Sequence, residues 1–332
     1  MIGFCTSTRY VEHETGRHHP ERPDRIRAVA KAVRQAGMID SPDPFPELRL
    51  DFGFTHPQPF TLRELDPSPA DPELAALVHT PRHIDYVRRV CAMGGGVLDQ
   101  GDTPVCAASY EIALLALGSA IRCADAVMTG EVKRAFSAAR PPGHHAEPDR
   151  PMGFCLFNNI AIAARHIQRS YSIARVAIVD FDVHHGNGTQ ASFEDDPSVL
   201  FISMHQHPST CYPGTGHHWE RGRGAGEGHT VNIAFNPGCD DADYAAAMQQ
   251  HVLPALDDFA PEVLLISAGF DGHAEDPLAQ MELSENAFEQ MTRQLVELAG
   301  RHCRGRVVSV LEGGYNLRAL GRCVVRHLIG LR

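Results

Sequence analysis

The chain has 332 residues, enough for one large α/β domain or two ordinary ones. Its 43% hydrophobic and 21% charged residues are typical of proteins that bury a sizeable core. The formal charge of −11 argues against sequence-independent nucleic-acid binding, which needs a basic surface, so we expect no direct nucleic-acid partner. No apolar run approaches the ~20 residues that span a bilayer, and the first residues lack a signal-peptide pattern. We therefore expect no membrane partner and a cytoplasmic location.

Nine cysteines occur without any Cys-x-x-Cys pair, which argues against both a disulfide framework and a thiolate zinc site. No Ser/Gly-rich linker, charge run or internal repeat divides the chain. We therefore predict a single domain over residues 1–332.

Stretches of helical spacing alternate with apolar, β-branched runs along the chain. Helices are predicted at 22–36, 112–129, 159–170, 244–259 and 284–302, and strands at 135–139, 176–180, 199–203, 231–234, 263–267 and 307–311. The segment 40–72 contains eight prolines and is predicted to be an irregular connection. Because this alternation is typical of βαβ units, the sequence predicts an α/β fold with a mainly parallel sheet and helices on both faces.

The predicted strand 176–180 ends in a cluster of ionisable residues. Asp180, Asp182, His184 and His185 follow its apolar run directly. Asp182 and His184 are two residues apart, so on an extended chain their side chains point to the same side and could bind one ion. Burying several carboxylates is costly without a compensating cation or hydrogen-bond donors, so the pattern indicates a metal site.

Three further polar motifs follow predicted strands, at 140–145, 269–272 and 312–315. The carboxyl ends of parallel strands lie at one edge of a sheet, so four motifs that are distant in sequence are expected to meet in one crevice. A single histidine or tyrosine in such a motif more often packs in the core. The joint placement of the four motifs is what indicates a functional site.

Five motifs together resemble those of the zinc-dependent histone deacetylase family. In chain order they are RPPGHHAE at 140–147, GFCLFNN at 153–159, DFDVHHGNGTQ at 180–190, SAGFD at 267–271 and EGGYN at 312–316. The resemblance is greatest to the class II branch and to bacterial histone deacetylase-like amidohydrolases, and it extends from HPERP at 19–23 to Tyr315. It implies the arginase-deacetylase fold, an α/β fold with a central eight-stranded, mainly parallel sheet.

The resemblance makes Asp182, His184 and Asp271 the metal ligands. Three protein ligands leave positions open for water and a substrate carbonyl, as in catalytic zinc sites. Zinc is the expected metal, although two carboxylates and one imidazole form a fairly hard donor set that could also bind Fe(II) or Co(II). The resemblance further implies a structural potassium ion, held by Ser203 and by main-chain carbonyls around Asp180, Asp182 and His184.

By the same resemblance, His144 and His145 face the attacking water. His145 would act as general base and acid, alone or with His144 as an electrostatic partner, which is work for groups that titrate near neutrality. Asp180 would orient His144, and Asn187 would orient His145. Because an amide supports an imidazolium less than a carboxylate does, His145 should be the less basic of the two. Tyr315 would donate its hydroxyl to the oxyanion.

A narrow apolar tunnel should lead to the metal. Gly153 and Phe154 resemble one wall and Tyr212 the opposite wall, with an ordinary core role as the alternative for Tyr212. Leu278 occupies the gatekeeper position that is Glu in polyamine-selective relatives. The resemblance also implies Asp102 as a rim residue and Gly313, beside the tyrosine, as part of the substrate pocket. Arg25 would belong to an inner acetate pocket, with a role in the entry into the first helix as the alternative.

Three functions are compatible with these residues. The first is metal-dependent hydrolysis of an acyl-amine amide bond, above all removal of acetyl or related acyl groups from lysine side chains. The second is deacetylation of acetylpolyamines or other small amides, against which Leu278 argues because leucine cannot recognise a secondary ammonium. The third is a non-catalytic protein that binds acyl ligands, and the complete catalytic set argues against it. An arginase-like binuclear manganese site would need more bridging carboxylates, and a homo-oligomeric state stays open.

Overall fold

A central parallel sheet organises the chain in the computed structural model, which describes residues 1–99 and 101–332. The strands, numbered in chain order, are β1 (Ile2–Cys5), β2 (Arg63–Leu65), β3 (Gly95–Val97), β4 (Pro104–Cys106), β5 (Arg134–Ser137), β6 (Val176–Asp180), β7 (Val199–Gln206), β8 (Thr230–Phe235), β9 (Val263–Ala268) and β10 (Val307–Leu311). Eight of them form one sheet in the order β2-β1-β5-β10-β9-β6-β7-β8, with every neighbouring pair parallel. The pair β3 and β4 forms a separate antiparallel hairpin.

Helices connect most of the strands. They are α1 (Asp24–Gln35), α2 (Pro72–Ala75), α3 (Pro81–Ala92), α4 (Ser109–Met128), α5 (Asn159–Tyr171), α6 (Asn187–Phe193), α7 (Asp241–Ala247), α8 (Leu253–Phe259), α9 (Glu285–His302) and α10 (Leu317–Gly330), with short 3-10 segments at Thr8–Glu12 and Gly224–Gly226. Among the described residues, no helix combines the length and the apolar character needed to cross a membrane.

The predicted α/β class and the eight-stranded parallel sheet are confirmed, and all six strands predicted from apolar runs are present. The helix predicted at 244–259 is interrupted by a π-helical turn, Met248–Val252, between α7 and α8. Pro254 has no N–H to donate to the carbonyl of Gln250, and a wider turn accommodates that loss. The segment 40–72 is irregular up to α2 except for β2, a three-residue edge strand that was not predicted.

Both faces of the sheet are covered, as the continuous apolar strands predict. Along β6, Ala177 and Val179 join a core cluster that includes residues of α1, α9 and α10. Val176 and Ile178 point to the other face, where they pack in a cluster with residues of α4 and α5. Alternate residues of a strand point to opposite faces, so every side chain of this strand is buried.

The strand order brings the four motif loops together. The strands β5, β10, β9 and β6 are neighbours at the middle of the sheet, and each is followed at its carboxyl end by one of the motifs. Parallel strands end at the same edge, so the loops that carry residues 140–145, 180–187, 269–272 and 312–315 lie side by side there.

A buried ion-pair cluster ties the N-terminal segment to these loops. The Glu21 carboxylate accepts hydrogen bonds from Arg140, at 2.8 Å from Nε and 2.7 Å from Nη2, and from Arg25 Nη1 at 3.1 Å. All three side chains are fully buried. Burial alone would raise the pKa of Glu21, but the two guanidinium groups hold it well below its usual range.

Glu21→Gln is expected to lower the free energy of unfolding at pH 7 by about 3 kcal/mol, because it leaves two buried guanidinium charges uncompensated. A carboxyl group whose pKa is lowered by folding stabilises the native state above its unfolded-state pKa. The difference from the unmodified protein should therefore narrow as the pH falls below about 4. Urea unfolding of the variant and of the unmodified protein, at pH 7 and again below pH ~4, measures this difference in the free energy of unfolding.

Glu131→Gln is the matched control for this prediction. Glu131 also bridges two arginines, Arg63 and Arg122, but its side chain is 26% exposed. Exposed ion pairs contribute about 0–1 kcal/mol. Equal losses of stability in the two variants would contradict the importance of the buried cluster.

Candidate active site

Two carboxylates and one imidazole converge at the carboxyl edge of the sheet. His184 Nδ1 lies 3.0 Å from Asp182 Oδ1 and 3.1 Å from Asp271 Oδ2. All three side chains are buried, and their ligand atoms lie within 4.8 Å of one another. Asp182 and His184 come from the loop after β6, and Asp271 comes from the loop after the neighbouring β9. The structure thus brings the three predicted metal ligands together.

The electrostatics of this cluster favour a cation. Burial, reinforced by the neighbouring Asp182 carboxylate, raises the pKa of Asp271. Burial opposes a charge on His184 as well, yet the Asp271 and Asp182 carboxylates raise its pKa well above the usual value. Two buried carboxylates that need positive charge between them, with one imidazole, fit Zn(II), Fe(II) or Co(II) by donor type.

Each histidine of the predicted tandem has its own orienting partner. His144 Nδ1 lies 2.9 Å from Asp180 Oδ2, and His145 Nδ1 lies 2.7 Å from Asn187 Oδ1. The two rings are 4.0 Å apart, centre to centre. Although burial opposes its charged form, the Asp180 and Asp182 carboxylates raise the pKa of His144 to about 10.

His145 is the less basic histidine of the pair. Burial, together with the nearby His144 and His184, holds the pKa of His145 well below its usual value. A neutral imidazole can accept a proton, whereas the charged His144 beside it cannot. The pair therefore offers a proton acceptor next to a fixed positive charge.

A cavity of about 200 Å³ leads to these groups, and we call it the aromatic cavity. It is lined by Asp102, His145, Gly153, Phe154, His184, Tyr212, Leu278 and Tyr315. The rings of Phe154 and Tyr315 pack edge to face with their centres 5.9 Å apart, and those of Tyr212 and His145 do the same at 5.1 Å. Tyr212 and Leu278 are each 39% exposed, so the structure places them toward solvent rather than in the core.

Gly153 allows the close approach of this wall to His145. Its φ of +56° lies in the left-handed region, and a Cβ atom there would lie 2.5 Å from His145 Cδ2. A side chain at this position would push the imidazole from its place. Asp102 lines the aromatic cavity and is largely exposed. Partial burial of its carboxyl group, together with the nearby Asp99, raises its pKa to about 6.

Tyr315 is positioned by a residue that sequence reasoning missed. Its main-chain N–H donates to Asp276 Oδ2 at 2.6 Å, and Asp276 Oδ1 accepts from the N–H of Leu278 at 3.1 Å. Burial and the nearby Asp271 raise the pKa of Asp276 to about 7. The only signal in the sequence was its position five residues after a predicted ligand.

Glu312 is a second missed residue, although it belongs to a motif quoted for the resemblance. One of its carboxylate oxygens accepts from the N–H groups of Gly143 at 2.7 Å and His144 at 3.1 Å. The other accepts from the Ser267 hydroxyl at 3.1 Å. Burial raises the pKa of Glu312 to about 7. Through its hydrogen bonds to Gly143 and His144, Glu312 connects the loop after β10 to the backbone that carries the histidine pair.

Four further residues singled out in the sequence lie outside the aromatic cavity. The Gly313 N–H donates to Asp182 Oδ2 at 2.7 Å, and a Cβ on Gly313 would clash with Asp271 Oδ2. The Arg25 guanidinium lies 5.0 Å from the centre of the Tyr315 ring and donates to the Gly314 carbonyl at 2.7 Å. The remaining two are bonded to groups outside the metal cluster. Ser203, paired with Asp180 across the sheet, is bonded to His205 at 2.8 Å, and His185 is bonded to Thr215 and Gln190.

The fold and the site together define an α/β protein of the arginase-deacetylase type, and comparison with known proteins gives the family. The chain belongs to the histone deacetylase family, because the histone deacetylase domain matches residues 19–331. It is 38% identical over 317 residues to a probable deacetylase of Archaeoglobus fulgidus, covering 96% of this chain and 82% of that protein.

Two other relatives agree. A histone deacetylase-like amidohydrolase of Pseudomonas aeruginosa is 42% identical over 268 residues, which are 80% of this chain and 70% of that protein. Among solved structures, the HDA15 HD domain matches with a TM-score of 0.88 at 35% identity, over 99% of this chain and 88% of that domain. The family resemblance inferred from the five motifs is therefore confirmed.

Proposed function

We propose that residues 1–332 form one catalytic domain that hydrolyses acyl-amine amide bonds with a divalent metal, zinc by default, and removes acetyl or related acyl groups from lysine side chains. One observation carries the proposal. The candidate ligand His184, the proton acceptor His145 and Tyr315 line a single aromatic cavity of about 200 Å³. Asp182 and Asp271 cluster with His184, and His144 lies beside His145.

Asp182, His184 and Asp271 would hold the metal. When bound, the ion would polarise the scissile carbonyl and lower the pKa of water. The protein groups supply the proton transfers. His145 faces Asn187 through Nδ1, which leaves Nε2 to take a proton from the attacking water and to return it to the departing amine. The charged His144, held by Asp180, stabilises the negative charge that develops beside it.

Tyr315 supplies the remaining charge stabilisation. Its ring lines the aromatic cavity, and its main chain is anchored by Asp276. A hydroxyl at this wall can donate to the oxygen of the former carbonyl as the carbon becomes tetrahedral. Burial and the nearby Asp271 raise the pKa of Tyr315 well above its usual value, so the hydroxyl keeps its proton for donation.

The walls of the cavity favour acyl-lysine as the substrate. Phe154 and Tyr212 present aromatic rings to an alkyl chain, and Leu278 places an apolar side chain at the mouth. An acetylpolyamine carries a further ammonium that Leu278 cannot pair with. Asp102 at the mouth could accept a hydrogen bond from the backbone of a peptide substrate.

The alternatives are separated by simple observations. A non-catalytic acyl-ligand-binding protein would bind a hydroxamate but leave a fluorogenic acetyl-lysine substrate intact. A binuclear manganese enzyme would need a second set of bridging carboxylates, and the described residues contain one cluster of three ligands. The potassium ion, the inner pocket at Arg25, a homo-oligomer and a cytoplasmic location stay predictions of the sequence.

An activity panel of acetyl-lysine peptides, longer acyl-lysines and acetylspermidine tests the substrate class. We expect acetyl-lysine peptides to have a higher kcat/KM than acetylspermidine. Leu278→Glu should shift that ratio about tenfold or more toward the polyamine, because a carboxylate at the mouth can pair with its free ammonium.

Met93→Glu is the charge control, since Met93 is 77% exposed and does not line the aromatic cavity. It should leave the ratio unchanged. A preference of the unmodified protein for acetylspermidine would refute Leu278 as the gatekeeper and favour the polyamine function.

A further inference from the structure

A chain of hydrogen bonds continues behind His145 to a carboxylate that the proposed chemistry does not yet use. His145 Nδ1 lies 2.7 Å from Asn187 Oδ1, and Asn187 Nδ2 donates to Glu147 Oε1 at 2.8 Å. The other oxygen of Glu147 accepts from Arg150 Nη2 at 3.0 Å. The order is thus imidazole, amide, carboxylate, guanidinium.

We propose that Glu147 is a positioning residue that fixes the amide orientation of Asn187 and, through it, the tautomer of His145. The inference rests on the proposed function only in taking His145 as the proton carrier. Glu147 itself does not line the aromatic cavity.

The physical reason lies in the chemistry of an amide. Its carbonyl and amino ends are nearly equal in size, so either end of Asn187 could face the imidazole. An ionised carboxylate only accepts hydrogen bonds, so Glu147 requires the amino end to face it. The carbonyl end is then left for His145, whose Nδ1 must carry the hydrogen. Nε2 is therefore the nitrogen free to take a proton.

His144 needs no second residue to fix its tautomer. Its partner Asp180 is a carboxylate, which can only accept from the imidazole whichever oxygen faces it. An asparagine in the equivalent place beside His145 brings an ambiguity that a second residue must remove. The weaker acceptors near Asn187 Nδ2, Met152 Sδ at 3.4 Å and the His145 carbonyl at 3.5 Å, favour the same orientation.

Glu147 is held in place by its own backbone. Its N–H donates to the Arg150 carbonyl at 2.9 Å, and its carbonyl lies 3.0 Å from His79 Nδ1. Its side chain is 24% exposed. The carboxylate therefore stands at a defined point next to the amide, with one face toward solvent.

Glu147→Gln is the primary test. A glutamine would turn its carbonyl to Arg150 and its amino group to Asn187, which would flip the asparagine amide and place a hydrogen on Nε2 of His145. We expect kcat for an acetyl-lysine peptide to fall about tenfold or more with little change in KM, since support of this kind typically contributes 10- to 100-fold. In ¹⁵N-histidine spectra of the metal-loaded protein, His145 should change from the Nδ1–H to the Nε2–H tautomer.

An exchange of the two side chains makes the test specific. Asn187→Asp alone would set two carboxylates about 2.8 Å apart and should impair turnover. In Glu147→Gln/Asn187→Asp, the new carboxylate accepts both from His145 and from the amino group of the introduced glutamine. The double variant should therefore regain kcat relative to both single variants, together with the Nδ1–H tautomer.

Glu131→Gln is the matched control, because its side chain is 26% exposed and its carboxylate also pairs with arginine. It should leave kcat and the His145 tautomer unchanged. An unchanged tautomer and kcat in Glu147→Gln, or a double variant no better than the single ones, would overturn the proposal. If the unmodified protein lacks deacetylase activity, the proposed function fails, while the ¹⁵N spectra still decide the role of Glu147.

Discussion

Tyr315→Phe is expected to lower kcat for an acetyl-lysine peptide by about 100-fold or more, because it removes one donor to the oxyanion. Its hydroxyl is proposed to stabilise charge that develops only as the amide carbon becomes tetrahedral. Removing that interaction lowers turnover far more than it weakens ground-state binding. KM and the affinity for a hydroxamate should therefore change only moderately.

The substitution leaves the surroundings of the ring intact. Phe154 still meets the ring edge-on at 5.9 Å, and the Arg25 guanidinium still lies 5.0 Å from its centre. The Asp276 carboxylate still accepts from the main-chain N–H of residue 315. Lost packing therefore cannot account for a defect in turnover.

Tyr171→Phe provides the control, since it removes a hydroxyl that is bonded to Asp125 at 2.8 Å at the end of α5. It should retain full turnover. Metal content, steady-state kinetics and hydroxamate affinity are measured for both variants. A near-normal kcat in metal-loaded Tyr315→Phe would show that the residue is structural and that the assignment of the oxyanion donor is wrong.

Removal of the metal is expected to abolish activity. Prolonged chelation should reduce turnover to the level without protein, and Zn(II) or Co(II) should restore it. The reason is the donor set, in which Asp182, His184 and Asp271 converge with their ligand atoms within 4.8 Å. Without a cation, two buried carboxylates face each other with a single imidazole between them.

Asp182→Asn tests the same site without a change in side-chain size. An amide is a much poorer ligand for zinc than a carboxylate, so the variant should lose bound metal and all turnover. Its one remaining oxygen can accept from the N–H of His184, as Asp182 Oδ1 does, whereas the N–H of Gly313, which donates to Oδ2, loses its acceptor. The variant should therefore keep its fold with some loss of stability. Elemental analysis and circular dichroism measure the two properties.

Asp125→Asn is the matched control, because this carboxylate pairs with His166 at 2.7 Å in a part-buried position outside the cluster. It should retain both metal and turnover. Full activity in a protein verified to be free of metal would refute the metal-dependent function.

The fold and most of the candidate site could be predicted from the amino-acid order because they depend on local patterns. Continuous apolar runs indicate strands covered on both faces, and glycine-rich polar segments after them indicate the carboxyl edge of a parallel sheet. The pair Asp182 and His184 was recognisable from spacing alone. Asp271, Tyr315 and the histidine pair became candidates through family motifs that each lie within a few consecutive residues.

Other features were missed because no local pattern encodes them. The strands β1 and β2 are short, with four and three residues, and acquire their structure by pairing with strands that are distant in sequence. The π-helical turn before α8 depends on how one proline is accommodated in an otherwise regular helix.

The sequence by itself determined the class of fold, the order of the motifs along the chain and the kinds of donor available at the sheet edge. The tertiary structure alone decided which carboxylate supports which group: Asp276 under Tyr315, Glu312 under the His144 backbone, and Glu147 behind Asn187. These partners are 39, 168 and 40 residues apart. A hydrogen bond depends on atoms meeting within about 3 Å in a given direction, and that geometry exists only once the loops of four neighbouring strands have been brought to one edge.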